Sequence, residues 1–393
     1  MNTPVSLDQL RAVTPGVDHV LHFNNAGAAL PPDIVLSTVI GHLEREATIG
    51  GYEAADEAAG RLDAVYDSLA ALIGAEPSQM AVVENATRAW DMAVYGYPFV
   101  AGDRVLTCRA EYVSNVLALL QLQERHGIEV VVIEDDEHGQ IDLCQLEDEL
   151  AQGATMVVLT HAPTNGGLIN PAAAVGALCE QHGTFYVLDA CQSAGQVPLD
   201  VGTLKCDVLS GTGRKYLRGP RGTGFLYAGP RALERIEPPF LDLHAAEWTG
   251  ARTYEIRSDA RRFENWETYY AGKLGLGAAV DYALELGVEA TSERIVALGS
   301  SLRSALDALD GVTTHDKGEC RGGIVTFAVD GIASEDVQAL LSAQQINTST
   351  SPVGHARFDL PHRGLATLVR ASVHYYNSEE EIDRFVGAVE RLR

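Results

Sequence analysis

Short apolar runs alternate with helical patterns along this chain, and few folds accommodate that order. The runs fall at residues 80–83, 105–106, 130–133, 156–160, 185–188, 208–209 and 224–227. Between them lie helix-like stretches. Leu62, Val65, Tyr66, Leu69, Leu72 and Ile73 recur at the spacing of one helical face, and further helices are predicted over 116–125 and 172–182. Strand and helix in strict alternation predict an α/β fold, a mostly parallel sheet wrapped by helices.

After about residue 285 the pattern changes. A helix over 292–309, strands at 323–329 and 368–372, and a capping box at Ser378 to Glu381 opening a helix with Ile382, Phe385, Val386, Val389 and Leu392 on one face predict a smaller α+β domain. The first ~20 residues are too short to fold alone. The expected organisation is an N-terminal segment, 1–20, packing on the small domain, a large domain over 21–284, and a small domain over 285–393.

The charge balance excludes some partners. With 54 acidic and 29 basic residues the formal charge is −25, and no basic stripe offers itself to nucleic acid. No run reaches the ~20 apolar residues of a membrane span, and the first ten residues lack the pattern of a signal peptide. The six cysteines show no C-x-x-C pair, so neither a disulfide framework nor a metal site is expected, and the compartment is read as cytoplasmic.

In parallel α/β sheets ligands bind where the strands end. The run 185–188 leads into Asp189-Ala190-Cys191-Gln192, and the run 208–209 into Gly211-Thr212-Gly213-Arg214-Lys215. The second motif is not a Walker A loop, because no Gly directly precedes Lys215 and no Ser or Thr follows it. An aspartate at one strand end and a lysine at a later one meet the needs of pyridoxal 5′-phosphate. The amine bonds to the cofactor aldehyde, and the carboxylate keeps the ring nitrogen protonated. Asn85-Ala86-Thr87-Arg88, between an apolar run and a helix, suits the cofactor phosphate at a helix start.

Several motifs in order make the chain resemble the class V aminotransferase family of fold-type I enzymes, which includes cysteine desulfurases, selenocysteine lyases and other carbon–sulfur lyases. They are Asn24-Asn25-Ala26-Gly27, His161-Ala162-Pro163-Thr164-Asn165-Gly166-Gly167, Asp189 to Gln192, Thr212 to Lys215, Gly219 to Gly224, and Arg370 to Asn377. The resemblance implies a seven-stranded, mostly parallel sheet in the large domain. It also implies that Lys215 carries the cofactor, Asp189 pairs with the ring nitrogen and Gln192 bonds the ring oxygen. Asn165 or Thr164 approaches that oxygen. Thr87, Arg88, Thr212 and Arg214 surround the phosphate, and Thr268 reaches the phosphate of a partner in a homodimer with shared sites. Tyr112 takes the position of a histidine stacked on the ring. Asn25, Ala26, His355 and Arg370 fall to a small amino-acid substrate, Arg370 as the clamp of its α-carboxylate.

Cysteine desulfurases carry a nucleophilic cysteine on the loop before that arginine. Residues 347–369 contain none. The resemblance therefore implies β-elimination from an S-substituted cysteine or cysteine sulfoxide, giving a sulfur product, pyruvate and ammonia. Amino-acid racemisation or epimerisation, and transamination, remain as alternatives. The cationic loop residues His355, Arg357, His362 and Arg363 are expected to set specificity.

Overall fold

The computed structural model describes residues 6–392. Residues 1–5 and 393, parts of the expected N-terminal segment and C-terminal domain, lie outside the described residues. The chain forms a two-residue strand, β1 (Leu21–His22), then three successive helices, Asp33–Ile49, Gly51–Glu57 and Ala59–Ile73. It then enters a seven-stranded sheet of β2 (Met80–Val83), β3 (Arg104–Cys108), β4 (Glu129–Ile133), β5 (Met156–Thr160), β6 (Phe185–Asp189), β7 (Val208–Thr212) and β8 (Gly224–Ala228). The spatial order is β2-β8-β7-β6-β5-β3-β4. Only β8 runs against its neighbours. The sheet is mostly parallel, as the alternating sequence requires.

The strands are continuously apolar because both faces are covered. Val157, Leu159, Tyr186 and Leu188 point into one layer, against Val65, Leu69, Val175 and Cys179 of the helices Ala59–Ile73 and Ala172–His182. Their alternates Met156, Val158, Phe185 and Val187 point into the other, against Trp90, Leu119 and Leu122 of Ala86–Tyr95 and Val113–His126. The latter helix begins three residues earlier than its apolar spacing predicts. Its first turn carries Asn115 inward rather than an apolar residue.

A hairpin of β9 (Ala246–Gly250) and β10 (Thr253–Ile256) follows, then the helices Tyr270–Leu286 and Val288–Asp307, which meet at Gly287. The second helix therefore starts and ends earlier than the predicted 292–309. The C-terminal α+β domain holds an antiparallel sheet of β11 (Val312–Thr314), β12 (Ile324–Val329), β14 (Ser349–Ser351) and β15 (Leu368–Ser372). Its short neighbour β13 (Ile346–Asn347) pairs in parallel with β1. Phe23, Phe327 and Phe385 fill the core between this sheet and the last helix, Glu379–Glu390, whose start is closed by the Ser378–Glu381 capping box. Among the described residues no helix is long and apolar enough to cross a membrane.

Candidate active site

The carboxyl ends of β2, β3, β6 and β7 open on one cavity of about 280 Å³, close to the lower size of a small-ligand site, roughly 300 Å³. Asn85, Ala86 and Thr87 line it from beyond β2, and Tyr112 from beyond β3. Asp189 and Cys191 enter from β6, and Arg214 and Lys215 from β7. Tyr112 reaches the wall because it is the N-cap of the helix Val113–His126.

Lys215 is 6% exposed and its Nζ bonds the Cys191 thiol at 3.2 Å. Burial, with the Arg214 charge assisting, lowers the amine from its ordinary value, while the Cys191 sulfur opposes the shift. Burial raises the Cys191 thiol. Asp189 accepts from the Cys191 N–H at 2.8 Å and from Asn115 Nδ2 at 3.0 Å. Burial raises its carboxyl against those bonds and the attraction of Lys215. A carboxylate pushed toward its neutral form has much to gain from a cation set against it.

An anion site lies beside them. Asn85 caps the helix Ala86–Tyr95 through the Arg88 N–H, so the N–H groups of Ala86 and Thr87 at this N-terminus have no helical acceptor. Arg214 Nη1 lies 3.2 Å from Thr212 Oγ1, which donates to the Thr223 carbonyl at the same distance. Close approach here depends on Gly224, where a Cβ would come within 2.6 Å of the Asn85 backbone. Arg88 does not line the cavity; its guanidinium sits 4.4 Å over the Phe240 ring. Thr268 lines an adjacent cavity of about 390 Å³ that shares Glu84 and Gly222 with the first.

The clamp position is built from three segments. Arg370 on β15 donates to Thr164 Oγ1 at 2.6 Å and to Asn24 Oδ1 at 3.2 Å, and its Nε is buried without a partner. Burial lowers Arg370 to about 10. Gln192 Nε2 donates to Thr164 Oγ1 and the Ala26 carbonyl, each at 3.0 Å, leaving its own Oε1 without a partner. The structure thus turns Thr164 toward Arg370 and Gln192, whereas Asn165 donates to the His355 carbonyl at 3.3 Å. Asn25 is engaged elsewhere, bonded to the Ser372 carbonyl and the Tyr376 hydroxyl, and the His355 side chain is exposed.

The loop cations behave differently from one another. Arg363 is tied to Asp359, which also receives Lys317, and Lys317 in turn reaches Asp135. These contacts fasten the loop to the large domain. Asn24, Cys191, Glu111 and Asn115 all take part in the site yet were not singled out from the sequence. Asn24 adjoins Asn25 in its motif, and Glu111 and Asn115 share the helical i, i+4 spacing.

A buried amine held below its usual value, a buried carboxylate with no ion-pair partner among the described residues and a helix start whose Ala86 and Thr87 N–H groups are free fit the aldehyde, ring nitrogen and phosphate of pyridoxal 5′-phosphate. Fold and site define a fold-type I enzyme of that cofactor. The model of the aminotransferase class-V family matches residues 20–385, and the chain belongs to that family. It is similar to a probable cysteine desulfurase of Pyrococcus abyssi, with 28% identity over 98% of this chain and 97% of the relative. A cysteine desulfurase of Pectobacterium atrosepticum is 31% identical over 86% and 83% of the two chains. The apo cysteine desulfurase of Thermococcus onnurineus superposes with a TM-score of 0.92 at 26% identity, covering 100% of this chain and 99% of its own. The protein is accordingly a pyridoxal-phosphate-dependent enzyme of the cysteine-desulfurase-like type.

Proposed function

We propose that the enzyme is a carbon–sulfur lyase acting on S-substituted cysteines or cysteine sulfoxides by β-elimination. The observation carrying this reading is the nature of the thiols. Residues 347–369 hold no cysteine, and the thiol beside Lys215, Cys191, is raised by burial and so kept from the reactive thiolate. Persulfide transfer is left without a poised acceptor. The names of the relatives support a sulfur-bearing amino acid as substrate.

When bound, pyridoxal phosphate supplies an electron sink for negative charge at the substrate α-carbon. Arg370, steadied by Thr164 and Asn24, binds the α-carboxylate and orients the substrate. The Lys215 amine, neutral more readily than an ordinary lysine, accepts the α-proton. Asp189 would hold the proton on the ring nitrogen, and Gln192, bonded to Thr164, would hold the ring oxygen. The helix start at Thr87, with Thr212 and Arg214, receives the phosphate. Tyr112 covers the cavity wall. Loss of the sulfur substituent, as a thiol from a thioether or a sulfenic acid from a sulfoxide, and addition of water would leave pyruvate and ammonia.

The proposal extends to a homodimer. Thr268 and the exposed Tyr269 border the second cavity, where a partner would complete the phosphate site. Incubation with S-substituted cysteines is expected to release pyruvate in proportion to thiol, before and after Cys191→Ala. Alanine with a protein-bound persulfide, formed on incubation with free cysteine, overturns the elimination reading.

A further inference from the structure

Behind Asp189 lies a second buried carboxylate, Glu111, 3% exposed. Four neutral groups donate to it: the hydroxyls of Thr107 and Thr160, the Tyr112 N–H at 2.8 Å and Asn115 Nδ2 at 2.9 Å. Asn115 also donates to Asp189 Oδ2 at 3.0 Å, so one amide joins the two carboxylates. A carboxyl group that only accepts is matched to its ionised form. The start of the helix Val113–His126 favours negative charge at the same place. Burial nevertheless pushes Glu111 upward, and Asp189 adds to the rise. Among the described residues no basic side chain lies within ion-pair distance of Glu111. One amide spans the two carboxyl groups, and among the described residues neither has an ion-pair partner.

We propose that Glu111, acting through Asn115, is a positioning residue for Asp189 and holds a second negative charge that makes the site prefer a protonated cofactor ring. A mere tie between strand ends would not need that charge. Glutamine fits the same pocket, since the Thr107 hydroxyl can turn from donor to acceptor opposite the new amide. The inference rests on Asp189 meeting the ring nitrogen and is independent of the reaction catalysed.

The test compares two ligands on the full chain freed of cofactor: pyridoxal 5′-phosphate, and its carbocyclic analogue with C–H in place of the ring nitrogen. Dissociation constants are read by equilibrium dialysis. Glu111→Gln is expected to reduce the preference for the natural cofactor about tenfold, the equivalent of one pKa unit. Asp189→Asn should reduce it at least as much. Equal weakening of both ligands by Glu111→Gln, or no change, overturns the proposal and leaves Asp189 untouched. An unchanged preference in Asp189→Asn overturns the placement of the ring nitrogen as well. Should Glu111→Gln fail to fold, Asn115→Ala cuts the bridge while keeping both carboxylates; a reduced preference supports the proposal and an unchanged one overturns it.

Discussion

Arg370 Nη1 donates to the Thr164 hydroxyl across 2.6 Å, which joins β15 of the small sheet to the segment following β5 of the large one. Arg370, the proposed clamp, is therefore aimed by a residue of the large domain. Arg370→Lys is expected to raise KM about 10–100-fold, since a planar two-pronged donor becomes a single point charge. Thr164→Val should raise KM less, about 3–10-fold, with a smaller change in kcat. Steady-state kinetics on an S-substituted cysteine check both.

Cofactor capture should begin at lower pH than for an exposed lysine. Burial lowers the Lys215 amine, so a larger neutral fraction is present below the usual lysine range near 10.4. The rate of pyridoxal phosphate uptake is expected to rise with pH and level off below that value. Stopped-flow absorbance measures it, and Lys215→Ala should abolish the covalent signal.

Acid stability turns in part on His161, which burial lowers from 6.5 to about 4. The unfolded chain then binds the extra proton across that window, so stability rises with pH. As the pH falls from 6.5 toward 4, up to about 3 kcal/mol is lost from this group. His161→Gln should flatten the dependence of the denaturant midpoint over the same interval.

The loop before the clamp is expected to contribute to stability more than to chemistry through Asp359. This buried carboxylate receives Lys317 at 2.8 Å and Arg363 at 3.4 Å. Asp359→Asn leaves two cations short of a partner and should cost about 2–3 kcal/mol, Asp135 retaining part of Lys317. Thermal unfolding with bound cofactor is the measurement, and the visible absorbance should stay unchanged.

Much of this architecture was legible in the sequence because the covered strands read as continuous apolar runs and the chemistry sits at their ends. Asp189 and Lys215 were legible for that reason. Arg88 was grouped with Thr87 because they are neighbours in sequence, yet a helix turns successive residues by about 100°, and Arg88 faces Phe240 instead. Asn24 and Asn25 diverge in the same way, one meeting Arg370 and the other Ser372. The hairpin of β9 and β10 escaped because its side chains are mostly exposed and lack an apolar rhythm. The meaning of Glu111 lies in Thr160 and Asp189, at the ends of two strands distant in the chain.

The stretch from Phe23 to Ala29 touches both sheets around the site. The Phe23 carbonyl accepts from Ser372, Asn24 meets Arg370, the Ala26 carbonyl meets Gln192, and Ala29 donates to the Arg214 carbonyl at 2.9 Å. These residues act as a suture between the two sheets. Loosening this seam would therefore disturb Arg370, Gln192 and the Arg214 backbone together.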